Sequence, residues 1–129
     1  MFIKKDKFSF KDQIYMELAL DLAIAREGQT GNNPSVGCVI VKDDKIISIG
    51  QTSQGGRPHA EFNAINNCIE NLKGSIMYVT LEPCNHYGIT PPCTNAIIKS
   101  KISKIIYSTL DVDQRAVSYT HLRAHETRG

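Results

Sequence analysis

The sequence has no apolar run that approaches the length of a membrane span, so no helix crossing a bilayer is expected. It also has almost no net charge. Fifteen Lys and Arg against thirteen Asp and Glu leave +2, which gives no electrostatic case for binding nucleic acid or an anionic membrane surface. Met1 to Lys11 carries lysines but no apolar signal core, so a cytoplasmic protein is expected. No internal repeat and no second domain can be read. What is present is ordinary for a globular chain: 129 residues, 41% of them hydrophobic, enough for one domain around one core. Four cysteines without a signal peptide point to metal ligands or reduced thiols in preference to disulfides.

Residues 1–8 read as a polar lead-in. Ser9 with Asp12 resembles a capping box, opening a helix from about Phe10 to Glu27. Its polar stripe is Gln13, Glu17 and Asp21; Ile14, Tyr15, Leu18, Ala19, Leu22 and Ala25 are expected to be its buried side, with Gly28 at the C-terminal cap. Val36 to Val41 is a β-branched apolar run, the pattern of a strand buried on both faces. Asp43-Asp44 turns it into a second strand, Lys45 to Ile49. Gln51 to Arg57, with Gly55-Gly56, is expected to be a mobile loop. A helix from His59 to Leu72 would face the core with Ile65, Cys68, Ile69 and Leu72, and Lys73-Gly74 would end it. Ser75 to Leu81 reads as a third strand, Pro92 to Lys99 as a helix, and Lys104 to Thr109 as a fourth strand. This order implies an α/β fold, a three-layer α/β/α sandwich with a mixed sheet. The pattern collapses after Asp113. Residues 1–115 are therefore read as the domain and 116–129 as an unpatterned, non-native tail resembling translated vector sequence.

The chemistry concentrates between Pro58 and Cys93. His59-Ala60-Glu61 and Pro83-Cys84, then Pro92-Cys93, stand at the starts of two expected helices. A catalytic zinc takes three protein ligands and keeps a fourth place open for water. His59, Cys84 and Cys93 can supply the three, leaving Glu61 as the spare proton carrier. Glu61 cannot share the His59 direction on an ideal helix, because two residues subtend roughly 200°. It can still reach from beside the metal if the ion sits over the first turn. A closed four-ligand structural site would need His86, and would leave Glu61 with no task. Cys38 and Cys68 read as packing residues. His121 and His125, four apart in an unpatterned tail, read as coincidence.

His-x-Glu followed by Pro-Cys-x-x-Cys is a known zinc-deaminase signature, but here eight residues separate the two cysteines. That longer loop is the more specific feature. Thr80-Leu81-Glu82-Pro83-Cys84-Asn85-His86-Tyr87-Gly88-Ile89-Thr90-Pro91-Pro92-Cys93, together with His59-Ala60-Glu61 and Asn33-Pro34-Ser35-Val36-Gly37, resembles the deaminase domain of the bifunctional riboflavin-biosynthesis enzyme. The resemblance covers about residues 10 to 115. It implies a cytidine-deaminase-like fold and hydrolytic deamination of a diamino-hydroxy-pyrimidine carrying a ribosylamino 5′-phosphate. It puts Zn²⁺ on His59, Cys84 and Cys93, the proton shuttle on Glu61, and substrate contacts on Asn33, His86 and Asp111.

Three positions depart from that family. It commonly has His at Thr52, often has Lys or Arg at Ile89, and usually reads Pro-Asn where Val112-Asp113 stand. The chain also carries no nicotinamide-binding fingerprint, so no reductase activity is expected of it; the family's reductase domain is expected to be absent and the deaminase domain truncated at its C-terminal side. The rival readings are another deaminase, of cytidine, guanine or tRNA adenosine, and an inactive zinc-stabilised fragment. The expected partner is a small pyrimidine nucleotide, with no nucleic acid or membrane; a homo-oligomer is compatible with all of these readings.

Overall fold

The computed structural model describes residues 2–4, 9–31, 35–80 and 93–107. Helix α1 (Phe10–Ala25) starts where the Ser9 hydroxyl accepts the Asp12 amide at 3.2 Å. Strands β2 (Gly37–Lys42) and β3 (Lys45–Gln51) form an antiparallel hairpin. Asp43 and Asp44 both take positive φ in its two-residue turn, as such tight hairpins demand. Helix α2 (Ala60–Asn67), strand β4 (Ile76–Val79), helix α3 (Cys93–Lys99) and strand β5 (Lys104–Tyr107) follow. The remaining element is β1 (Phe2–Lys4), which runs parallel to β5 where only a lead-in was expected. Three residues are too few to show a strand period in sequence; the pairing with Ile105 and its neighbours decides the state.

The sheet order is β1-β5-β4-β2-β3, with β4 antiparallel to β2 and parallel to β5. Successive residues of β2 point to opposite faces. Cys38 and Ile40 pack with Ala60, Ala64, Met77, Val79 and Ile97, which places α2 and α3 on one face. Val39 and Val41 pack with Met16, Ala19 and Tyr78, which places α1 on the other. The mixed sheet between two helical layers is the expected three-layer sandwich.

The contact line of α1 differs from the one expected. Ile14 is 44% exposed while Glu17 is buried. A Cβ on Gly37 would collide with the backbone at Ala19 and Ala23, so the helix lies almost directly on the strand. The small residues Ala19 and Ala23 therefore set which side faces the sheet, and the larger apolar residues flank it. On the same face the Tyr78 hydroxyl donates to the Asp12 carboxylate at 2.6 Å. Burial, with that carboxylate beside it, pushes the phenol well above its ordinary pKa.

Helix α2 is also shorter than the apolar spacing suggested. It ends at Asn67, and Cys68 is already extended at φ −81°, ψ 124°. Asn66 and Asn67 are poor helix formers. Beyond them Leu72 still reaches the core, but Ile69 is 98% exposed. Lys73-Gly74 makes the turn into β4 and caps no helix; the Gly74 amide donates to the Lys101 carbonyl. The segment expected as a mobile loop contains a 3-10 turn at Gln54–Gly56, in which the Gly56 amide donates to the Ser53 carbonyl. Cys38 is buried in the core and Cys68 is half-buried. Among the described residues no helix is long and apolar enough to cross a membrane.

Candidate active site

The strand pairings decide which loops can meet. Gly37 at the start of β2 pairs with Gln51 at the end of β3, and Cys38 pairs with Val79 at the end of β4. Val79 in turn pairs with Tyr107 at the end of β5. The chain therefore leaves β3, β4 and β5, and enters β2, at one end of the sheet. Helices α2 and α3, which follow β3 and β4, both start at that end. His59 is the N-cap of α2 and Cys93 is the first residue of α3. The two helices pack against each other on the same face.

His59 has extended backbone at φ −74°, ψ 163°, and its imidazole is not the helix cap. Glu61 lies in the first turn and is only 2% exposed. Ala60 and Ala64, on either side of it along the helix, are buried as well. A carboxylate is rarely taken from water without a charge or hydrogen-bonding role to compensate, and the α2 N-terminus favours negative charge. An imidazole, a buried carboxylate and the position of a cysteine at a neighbouring helix start thus share one sheet end, and these are residue types that catalytic zinc uses. Cys84, Asn33, His86 and Asp111 lie outside the described residues, as does the tail 116–129. Among the described residues no three His, Cys, Asp or Glu side chains gather as a metal site.

What the structure does show is how the edges of the site are held. The Val36 amide donates to the Thr52 hydroxyl at 2.9 Å, and the Thr52 amide donates to the Val36 carbonyl at 3.0 Å. Thr52, where the resembled family commonly has His, is 1% exposed and spends its hydroxyl on this tie. One residue further on, the Gly37 amide donates to the Thr80 hydroxyl at 3.1 Å, and the Thr80 amide returns a bond to the Gly37 carbonyl. The Ser35 hydroxyl donates to the Ala23 carbonyl. These bonds anchor the residues just after Asn33 and just before Leu81. Sequence reading did not single out Thr80, Ser35 or Asn63 as anchors. The available signal was a polar residue at a strand end or in a helix first turn, among neighbours that are apolar and buried.

A model of the cytidine and deoxycytidylate deaminase zinc-binding region matches residues 9–109. The riboflavin biosynthesis protein RibD of Aquifex aeolicus is 52% identical over 100 residues, covering 78% of this chain and 28% of its own length. The diaminohydroxyphosphoribosylamino-pyrimidine deaminase of Buchnera aphidicola subsp. Schizaphis graminum is 52% identical over 101 residues, with 78% of this chain and 69% of that protein covered. The crystal structure of a Thermotoga maritima diaminohydroxyphosphoribosylaminopyrimidine deaminase/5-amino-6-(5-phosphoribosylamino)uracil reductase aligns with a TM-score of 0.73 at 43% identity, over 79% of this chain and 30% of that one. The chain thus spans little more than a quarter of the Aquifex RibD protein and about two thirds of the Buchnera deaminase. These are the proteins that the Cys84 to Cys93 loop resembles. With most of its length matched, this chain belongs to the family defined by the cytidine and deoxycytidylate deaminase zinc-binding region.

Proposed function

We propose that residues 1–115 form a hydrolytic deaminase acting on the diamino-hydroxy-pyrimidine ribosylamino 5′-phosphate intermediate of riboflavin biosynthesis. The observation that carries this reading is the buried Glu61 in the first turn of α2, next to the His59 N-cap and at the same sheet end as Cys93. The names of the relatives narrow the substrate from pyrimidines in general to this one. His59, Cys84 and Cys93 would hold the zinc, which when bound supplies an acidified water as nucleophile. Glu61 takes up the proton released by that water, passes it to the ring nitrogen beside the reacting carbon, and then serves the departing amine. Water enters, ammonia leaves, and a ring carbonyl replaces the exocyclic amine. Asn33 offers both a donor and an acceptor to a pyrimidine edge, and His86 and Asp111 complete the polar contacts.

The test is ammonia release from a panel holding the riboflavin-pathway pyrimidine, cytidine, guanine and a tRNA adenosine stem-loop. Turnover of the first by the parent is expected. Glu61→Gln should abolish it while zinc content stays stoichiometric, because Glu61 is not a ligand. Equal release from parent and variant, or none from either, overturns the proposal. Turnover of cytidine alone replaces the substrate and keeps the chemistry.

A further inference from the structure

The side-chain amide of Asn63 is the hub of the segment that delivers His59. Its Nδ2 lies 2.8 Å from the Gln51 carbonyl, 3.0 Å from the Ser53 hydroxyl and 3.3 Å from the Pro58 carbonyl. Two amide hydrogens thus face three oxygens spread along residues 51–58. The Asn63 backbone amide donates to the His59 carbonyl at 3.0 Å, closing the first turn of α2. The Pro58 carbonyl, immediately before His59, also accepts the Ser53 amide at 3.2 Å. Near the start of the same segment, Thr52 ties to Val36 at the exit of the loop that carries Asn33. One half-buried carboxamide therefore fixes the backbone on the N-terminal side of His59 and the strand end that anchors the neighbouring loop.

We infer that Asn63 is a positioning residue for the zinc site. It holds the His59 backbone so that the imidazole is directed before metal arrives, without itself touching metal or substrate. This rests on the zinc reading of His59. The physical reason is that a ligand fixed before binding loses less freedom on coordination. Outer partners that orient ligands typically change metal affinity by roughly 10- to 100-fold when they are removed.

Asn63→Asp keeps the shape but replaces both donors by an acceptor facing three oxygens. Zinc affinity is measured by competition with a chromophoric chelator, alongside Met16→Ala, a cavity variant on the opposite face of the sheet with Met16 buried against α1's side of the core. Asn63→Asp should weaken zinc by roughly 10- to 100-fold, and Met16→Ala should leave it within twofold although it lowers the melting temperature. Should Asn63→Asp not fold, Asn63→Ser, which retains one hydroxyl donor, is read in its place, with a smaller loss of the same sign. Unchanged affinity in the Asn63 variant, or an equal loss in Met16→Ala, overturns the inference while leaving the deaminase reading intact. Failure of the parent to bind zinc at one per chain overturns both.

Discussion

Replacing Gly50 by alanine should damage the site from behind. Gly50 lies in β3 directly under the first turns of α2. A Cβ built there would meet the Ala60 carbonyl oxygen, and would sit 2.6 Å from the Ala64 amide nitrogen and 3.0 Å from the Ala64 Cα. Ordinary contact begins at 3.4 Å, so the nitrogen alone must retreat by about 0.8 Å. All three atoms are backbone, and no rotamer change can relieve the collision. Helix α2 has to lift, and Glu61 and His59 lift with it, being one residue to either side of Ala60. Overpacking of this kind costs about 1–3 kcal/mol, and a displacement near 1 Å in a catalytic group can cost about 10²-fold in rate. Urea unfolding reports the first quantity, and kcat/KM for ammonia release at saturating zinc reports the second. The expected result is a variant that still folds, with stability reduced in that range and turnover down by about two orders of magnitude. Wild-type stability together with wild-type turnover would refute the close approach of α2 to β3 and, with it, the placement of Glu61 described above.

Two further perturbations read the framework. Tyr78→Phe removes the donor to the Asp12 carboxylate at 2.6 Å and should cost about 1.5–3 kcal/mol at neutral pH. The folded phenol has a raised pKa, so its contribution is fully present below the unfolded value of about 10 and is lost as pH rises through the folded value; the gap between parent and variant in urea melts should therefore narrow at alkaline pH, and an unchanged gap would contradict the pairing. Thr52→Val removes the acceptor for the Val36 amide and should cost about 1–3 kcal/mol, whereas Thr52→Ser, which keeps the hydroxyl, should lose less than half of that; equal losses in the two variants would show that the hydroxyl contributes nothing.

Much of the fold was legible because the relevant signals are local. The β-branched run of β2 and the paired acids of its turn each specify their own state. The family was legible for a different reason: His59-Ala60-Glu61 and the run from Thr80 to Cys93 form a residue pattern specific enough to point to the zinc-binding deaminases that the chain matches. What could not be read was set by distant partners. The facing side of α1 depends on Gly37 lying against Ala19 and Ala23, residues far from it along the chain. The apolar repeat through Ile69 suggested more helix than forms, because periodicity does not register two asparagines that let the chain leave. Asn63 is invisible to pattern reading, since its three acceptors come from a segment up to twelve residues earlier.

The two ends of the sheet divide the work between them. At the end away from the site the turns are conformationally demanding. Asp43, Asp44 and Lys101 hold positive φ there without being glycine, and Gly74 is a fourth residue of positive φ at that end. Strained residues of this kind persist only where surrounding structure fixes them, so this end specifies the strand pairings. At the other end the chain between elements is long: 26–36, 52–59 and 80–92 all connect there. Positive φ among the described residues of those connections falls only on glycine, at Gly28, Gly31, Gly55 and Gly56. Long connections at a sheet end are free to vary in sequence only if something other than turn geometry holds their roots. Here that role falls to side chains of Ser35, Thr52, Asn63 and Thr80 bonding to backbone. The starts of α2 and α3 thus stand at a sheet end whose connections are tied to the strands by polar side chains. Substitutions at those four anchors should accordingly affect zinc and substrate as well as global unfolding, whereas substitutions at the opposite turns should affect global unfolding alone.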